Sequence, residues 1–537
     1  MASNSAAGST STGDLFQRKA TGLLRGWSVW DAFIYATFSI NLITLGLFIL
    51  SFAPFVPDGA LIPAIILAGL YLIFQAVTYA ALIAVMPRAG GDYVWMSRIL
   101  GGGIGFVLAV TGWWFILWHW VPIYADILIK EVFVPLAAIL GFDGLATFFG
   151  SSAGIFTASM IVAFMASALI SLGMRSYARV QKFCFYGGLL GLAIMLIILL
   201  VSSRADFVSA FNSEASSMLG AGGNAYQQTI QAGEQAGGLP TNSAAFPTLL
   251  LIPFLAFFNL FSNWGATLYG EVRGASDFRR NIYAMGGALV LTSVTAVVLL
   301  LLFAKTFGWD FYYGANAAFW AGEGPISAWP YPALLASFLL GNPILQVILI
   351  ALMSLWFFGW VGSVFMSSTR VVFATAFDRV LPEAVAKTTR SGVPYVALLL
   401  MLVPSIPISY FYAYGEDFAT WTLNATLVIA MTFFGSTIAA AILPWRKPEI
   451  YNASPIARYN ILGIPLITVA ATAFGLFLAF CLYQWITNDL YGINDPSSFL
   501  YLGAMYLLAL VIYVVSRLVR RAQGIDLKMV YDEIPED

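Results

Sequence analysis

MPRAGGDYVW, residues 86–95, is a charged, glycine-bearing turn set between two apolar runs, about 60–86 before it and about 102–128 after it. Each run is long enough to cross a bilayer, which takes roughly 20 consecutive apolar residues per helix. The segment therefore reads as a structural device joining two membrane helices.

Ten further runs of this kind lie outward from it: about 29–51, 153–173, 181–202, 246–271, 282–306, 343–374, 394–414, 418–443, 462–486 and 499–519. The chain of 537 residues is 60% hydrophobic and 9% charged, with a mean hydropathy of +0.85. A soluble globular protein carries charge on about a quarter of its residues, so that class is excluded. A membrane β-barrel would show short alternating segments instead of continuous apolar runs.

The charges orient the chain. Cytoplasmic loops hold the excess of Lys and Arg. With twelve spans and a cytoplasmic N-terminus, 22 of the 25 basic residues fall inside, leaving only Lys130, Arg204 and Lys305 outside. Both termini are then cytoplasmic, and the chain is expected to be a multi-pass protein of the plasma membrane. A net charge of −1 averages over two opposite surfaces and gives no argument for nucleic acid. Cys184 and Cys481 both fall inside spans, so neither a disulfide nor a metal site is inferred. The first apolar run exceeds a signal-peptide core and is expected to remain as a helix. There is no Gly-Lys pair for a phosphate-binding loop, and one histidine where a zinc protease motif needs two. The chain is read as no enzyme and as needing no cofactor, apart from a coupling ion.

The first and sixth spans share an interruption by polar residues. In the first it is Phe38-Ser39-Ile40-Asn41-Leu42-Ile43-Thr44-Leu45-Gly46, and in the sixth Phe257-Phe258-Asn259-Leu260-Phe261-Ser262-Asn263-Trp264-Gly265. Five spans separate the two, so they run in opposite directions, as inverted halves of a transporter do. The division predicted is a tail over 1–28, a first repeat over 29–202, an extracellular loop over 203–245, a second repeat over 246–443, two appended helices over 444–521 and a tail over 522–537. A second outside segment, about 307–342, carries Trp309, Trp320 and Trp329 as interfacial anchors or as a lid.

Polar groups at mid-bilayer need partners within the protein, and a broken helix is tolerated only where it lines a cavity. Asn41, Asn259, Ser262 and Asn263 as a set therefore mark a binding site for a small polar solute, with Gly46 and Gly265 easing the backbone. His119 stands in an aromatic run and is either a packing residue or a substrate contact or proton relay. Asp31 reads as a helix-entry residue. Ser363, Ser367, Ser368 and Thr369 in the eighth span are either oxygen ligands for sodium or small residues at helix contacts.

Residues 80–113, AALIAVMPRAGGDYVWMSRILGGGIGFVLAVTGW, carry the pattern P-x-x-GG-x-Y, G-x-x-x-GF and GW through Pro87, Gly90, Gly91, Tyr93, Gly105, Phe106, Gly112 and Trp113. GEVRGASDFRRNI follows the sixth span through Glu271, Arg279 and Arg280, and SSTRVVFATAFDRVLPE follows the eighth through Arg370, Asp378, Leu381 and Pro382. These three motifs resemble those of the amino acid–polyamine–organocation transporters. The resemblance implies an all-α membrane protein of the LeuT type: 12 transmembrane helices, a five-plus-five inverted repeat and two C-terminal helices. It implies alternating access around broken first and sixth helices, and amino acids, their derivatives or amines as substrates. The family's G-S/T-G-I-F aligns with Thr44-Leu45-Gly46-Leu47-Phe48, of which Gly46 and Phe48 match. Phe257 aligns with the aromatic gate and Asn263 with the polar residue of the sixth helix, whose glycine is replaced by Phe261 or Leu260. The substrate site implied is Asn41, Leu42, Thr44, Leu45, Gly46, His119, Phe257, Asn259, Ser262 and Asn263. Proton-coupled relatives place a lysine where this chain has Gly188, so a sodium ion held by Ser368, Thr369 and the carbonyls of Ile40 and Ile43 is the coupling ion expected. An inorganic-cation carrier of the same fold and a non-transporting solute sensor are the alternatives.

Overall fold

The computed structural model describes residues 23, 26–219, 222–326, 328–415, 418 and 424–532. The tail expected over 1–28 and the end of that expected over 522–537 lie largely outside them. The chain folds as α1 (Val29–Leu50) and α2 (Leu61–Val85), then α3, a helical path over 102–140 that alternates α, π and 3-10 turns. There follow α4 (Ser152–Ser171), α5 (Met174–Val201), α6 (Ala245–Glu271), α7 (Phe278–Thr306), α8 (Pro343–Phe377), α9 (Tyr395–Tyr414), α10 (Ala425–Arg446), α11 (Leu466–Thr487) and α12 (Pro496–Ala522). Apart from α3, these are eleven helices among the described residues that are long and apolar enough to cross a membrane. A two-residue hairpin, β1 (Asn460–Ile461) with β2 (Ile464–Pro465), sits between α10 and α11.

Three helices are broken where polar or small residues interrupt the apolar pattern. Ser28 and Asp31 start α1 with reciprocal cap bonds, and Lys182 pairs with Asp31 at 2.8 Å, as befits a helix-entry residue. The helix stops at Asn41, whose φ of 42° and ψ of 68° are left-handed. Asparagine tolerates that region better than most residues. A single π turn, Leu42–Gly46, carries the chain on. In α6 the regular helix ends at Asn259, residues 260–263 form turns, and a 3-10 helix, Trp264–Glu271, completes the span. The eighth helix kinks at Gly362, where a Cβ would lie 2.4 Å from the Tyr177 ring.

The glycine pair of residues 86–95 locks this geometry. Gly90, with φ of 96°, donates its N–H to the Thr267 carbonyl at 2.8 Å, and a Cβ on it would come within 2.5 Å of Ala374. The turn after α2 is thus pinned both to the second half of α6 and to α8.

One end of the molecule collects most of the basic connections. There Trp27 and Val272 form a backbone bridge, the Trp27 indole donates to the Met174 carbonyl, and Arg520 donates to the carbonyls of Arg379 and Leu381. Two buried, bidentate ion pairs close this end: Arg370 with Glu271 (2.7 and 3.2 Å) and Arg98 with Asp378 (2.5 and 2.8 Å). At the far end, residues 203–245 are more ordered than the loop expected from their Gly/Ala/Gln/Ser content. They form helices Arg204–Leu219 and Ala225–Gln235. Ser203 and Asp206 cap the first reciprocally, and Phe207, Phe211 and Tyr226 pack on Phe307 and Phe311. Glycine lets the second approach helix Trp309–Ala321 closely, since a Cβ on Gly233 would lie 2.2 Å from the Gly314 Cα.

The Arg370–Glu271 pair is 1% exposed on both sides, and removing one partner of such a pair strands a buried charge at a cost of about 3–5 kcal/mol. Glu271→Leu is expected to lower the thermal midpoint steeply. Arg370→Met combined with Glu271→Leu is expected to recover most of the loss, and unfolding curves of both variants in detergent check this.

Candidate functional site

A cavity of about 640 Å³ opens at the far end, with Leu45 from the break of α1 in its wall. Its walls are mostly apolar: Leu45 and Phe48 from α1, Phe254 and Phe257 from α6, and Trp120 and Ile123 from α3. Trp120 stacks on Trp264 (centroids 5.7 Å apart, rings 23° from parallel), and Phe257 stacks on Trp485 (5.3 Å, 11°). Trp320 of the 307–342 segment lines the rim and donates to Ser51 Oγ at 3.1 Å, tying that segment to α1. Asp126, Asp489, Tyr412 and Thr426 supply the polar groups of the wall. Beside Tyr35, Ser262 and Gly265 lies a small void of about 10 Å³.

The breaks are stapled by side chains from neighbouring helices. Gln75 of α2 donates to the Leu260 carbonyl (2.7 Å) and to Asn263 Oδ1 (3.0 Å), and accepts from Ser262 (3.2 Å). Asn41 caps its own π turn at Thr44 N and reaches the Trp356 carbonyl of α8. Next to this frame the Asp92 carboxylate accepts from Tyr79 of α2 (2.7 Å), Trp113 of α3 (3.1 Å) and Ser436 of α10 (2.6 Å). Burial pushes the Asp92 carboxyl up from 3.8 to about 6, against the pull of those donors. Neither Gln75 nor Asp92 was singled out by sequence reasoning. The signal available for Gln75 was a lone amide in the apolar run of α2.

Of the residues expected at the substrate site, Leu45 and Phe257 face the cavity. Asn41, Leu42, Thr44, Gly46, Asn259, Ser262 and Asn263 are buried at the breaks behind it. Gly46 serves close packing, since a Cβ there would press on Phe258 at 3.2 Å. Several buried polar atoms at these positions have no hydrogen-bond partner: Thr44 Oγ1, both amide atoms of Asn259 and Trp120 Nε1. Such unmet groups are rare and concentrate where a ligand or water is bound. His119 is not brought to the cavity. Its ring nitrogens lie 3.2 Å from the Ile116 carbonyl and 2.6 Å from the Tyr501 hydroxyl of α12, and the adjacent Trp120 takes the cavity face.

Among the hydroxyls of α8, Ser367 joins Tyr35 and the Trp264 carbonyl, and Ser363 meets Tyr124. Ser368 lies 3.4 Å from the Val364 carbonyl, and Thr369 donates to Met366 and accepts from Arg370. Ile40 ends the first half of α1, and Ile43 lies in the π turn beyond it. At Gly188 the Trp356 indole donates to the backbone carbonyl at 2.9 Å, and a Cβ would sit 2.9 Å from the same nitrogen. A longer side chain at Gly188 would have to displace that indole.

A broken pair of helices at the foot of an open cavity, in a bundle of membrane-length helices, defines a membrane transporter. Residues 27–512 match the family model described as amino acid permease, and the chain belongs to that family. It is also 23% identical over 463 residues to the branched-chain amino acid permease BcaP of Lactococcus lactis subsp. cremoris, covering 83% of this chain and 85% of that protein. The protein is therefore a multi-pass amino acid transporter of the amino acid–polyamine–organocation superfamily and no enzyme.

Asn259 has two amide atoms without protein partners, so Asn259→Leu is expected to leave thermal stability unchanged or higher while weakening amino acid binding about tenfold or more. Gln75→Leu strands the groups that Gln75 serves and is expected to lower stability by about 1–3 kcal/mol. Ligand titration and unfolding of the two purified variants separate the effects.

Proposed function

We propose that the protein is a secondary active transporter of neutral amino acids with bulky apolar side chains, working by alternating access. The cavity carries this reading. Leu45, Phe48, Phe254, Phe257, Trp120 and Ile123 offer a surface that favours an aliphatic or aromatic side chain, while the breaks below offer unpaired polar groups for a backbone amine and carboxylate. The substrate named for the Lactococcus relative, branched-chain amino acids, agrees with those walls.

The architecture proposed has twelve crossings, with α1–α5 and α6–α10 as inverted repeats, α11 and α12 outside them, and both termini in the cytoplasm. The packing supports it: α1 runs along α7 as α6 runs along α2, and both first helices of the repeats are broken. The basic end is then cytoplasmic and the protein stands open to the outside. Turning inward requires the Arg370–Glu271 and Arg98–Asp378 pairs to part.

Sodium is the coupling ion in this reading. Its support is the absence of a cationic side chain at Gly188, where Trp356 fills the space.

In proteoliposomes, leucine, isoleucine, valine and phenylalanine are expected to compete for one uptake activity, with lysine and glutamate ineffective. Trp120→Ala is expected to raise KM about tenfold with a smaller change in kcat, having removed contact made equally in ground and transition states. Preference for a charged amino acid would overturn the substrate assignment. Replacing sodium by choline is expected to abolish accumulation against a gradient, and sodium-independent accumulation would remove sodium while leaving the substrate assignment intact.

A further inference from the structure

Ser262, Gln75, Asn263, Tyr79 and Asp92 form a single file of hydrogen bonds leading away from the break of α6, and all of them are buried. Ser262 donates to Gln75 Oε1 (3.2 Å), and Gln75 donates to Asn263 Oδ1 (3.0 Å). The Asn263 amide reaches the Tyr79 hydroxyl, and Tyr79 donates to Asp92 Oδ1 (2.7 Å). The Leu260 carbonyl fixes the direction of the file. It can only accept, so the NH2 group of Gln75 lies on the side of Leu260 and Asn263, at 2.7 and 3.0 Å. Asn263 then turns its oxygen to Gln75 and its NH2 group to Tyr79, which leaves the Tyr79 hydrogen for Asp92. Every hydrogen in the file points toward the carboxylate.

Asp92 takes its two other side-chain bonds from neutral donors, Trp113 (3.1 Å) and Ser436 (2.6 Å). Among the described residues, no Lys, Arg or His forms an ion pair with it. A buried carboxylate held by neutral donors keeps its charge uncompensated, and in a medium of low polarity that charge acts more strongly than in water. Hydrogen bonds aligned in one direction also polarise one another. The file ends at the Ser262 hydroxyl. Its hydrogen is committed to Gln75, so its oxygen offers lone pairs alone.

We propose that Asp92 is a positioning residue for the amino group of the substrate. Through Tyr79, Asn263 and Gln75 it orients the break of α6 to accept hydrogen bonds and positive charge, so the ammonium of the amino acid is bound at that break. This role rests on the amino acid reading of the cavity, and it explains why an acidic side chain without a cation is wired to the broken helix.

Binding of leucine and of 2-hydroxy-4-methylpentanoate to the purified full chain tests this. The two ligands share a side chain and a carboxylate and differ at the ammonium. Tyr79→Phe cuts the file and keeps the ring. It is expected to lower the ratio of leucine affinity to analogue affinity about fivefold or more, through weaker leucine binding. Asp92→Asn removes the charge and is expected to lower the ratio further; where that variant fails to fold, Tyr79→Phe alone decides. Ser436→Ala removes a donor to the same Asp92 oxygen but lies off the file, and is expected to leave the ratio close to the parental value. A purely structural role for Asp92 would weaken both ligands equally in Tyr79→Phe. That result, or a fall in the ratio as large in Ser436→Ala, would overturn the proposal. Leucine binding by the parent protein checks the substrate reading separately, and if the parent prefers a charged amino acid, that amino acid and its 2-hydroxy analogue supply the same ratio.

Discussion

A helix interrupted inside a bilayer has to find partners for its freed backbone groups within the protein, and Gln75 is where this molecule meets that constraint. One amide from α2 serves the Leu260 carbonyl, Asn263 and Ser262 together, so the break of α6 is held open instead of closing into a continuous helix. Asn41 meets the same demand in α1 from within, by turning left-handed and capping the π turn that follows. The cavity exists because these two solutions lie side by side. Polar groups at Thr44 and Asn259 are left without protein partners.

The two ends of the molecule are built from different forces. Around the cavity the contacts are mainly aromatic faces and single hydrogen bonds, such as Trp120 on Trp264 and Trp320 on Ser51. The basic end is closed by two fully desolvated ion pairs. Buried pairs add little net stability over apolar packing, yet half-breaking one is costly. Asp92 lies between these regions and ties α2, α3 and α10 together through three neutral donors.

Much of what marks the two helix breaks was legible because its chemistry is unusual for a membrane helix. Asn41 and Asn259 stand out from apolar runs, and the glycine pair Gly90–Gly91 announces a turn that no other residue type could pack so closely against Thr267 and Ala374. Phe257 and Leu45 followed from alignment with the breaks and do face the cavity. What stayed hidden were partners remote in sequence. Nothing near Gln75 shows that it will meet residues 260–263, 185 and more positions away. His119 carried an ambiguous signal, and the choice between cavity and α12 rests on the 3-10 turn that sets its direction. The helices within 203–245 were masked by a glycine-rich composition, though the Ser203–Asp206 cap was present in the sequence.

The sequence by itself determined the solvent, the number of long apolar runs, the places where helices break and the family. Each of these follows from local composition and period, because a bilayer penalises every unpaired backbone group and every exposed charge along the chain. Tertiary structure alone decided which polar side chain answers which break, that Trp356 fills the space beside Gly188, and that the cavity opens at one end while ion pairs seal the other. Those outcomes depend on helices meeting across hundreds of residues, and in a protein whose lipid-facing and core-facing residues are equally apolar, the sequence pattern does not say which faces meet.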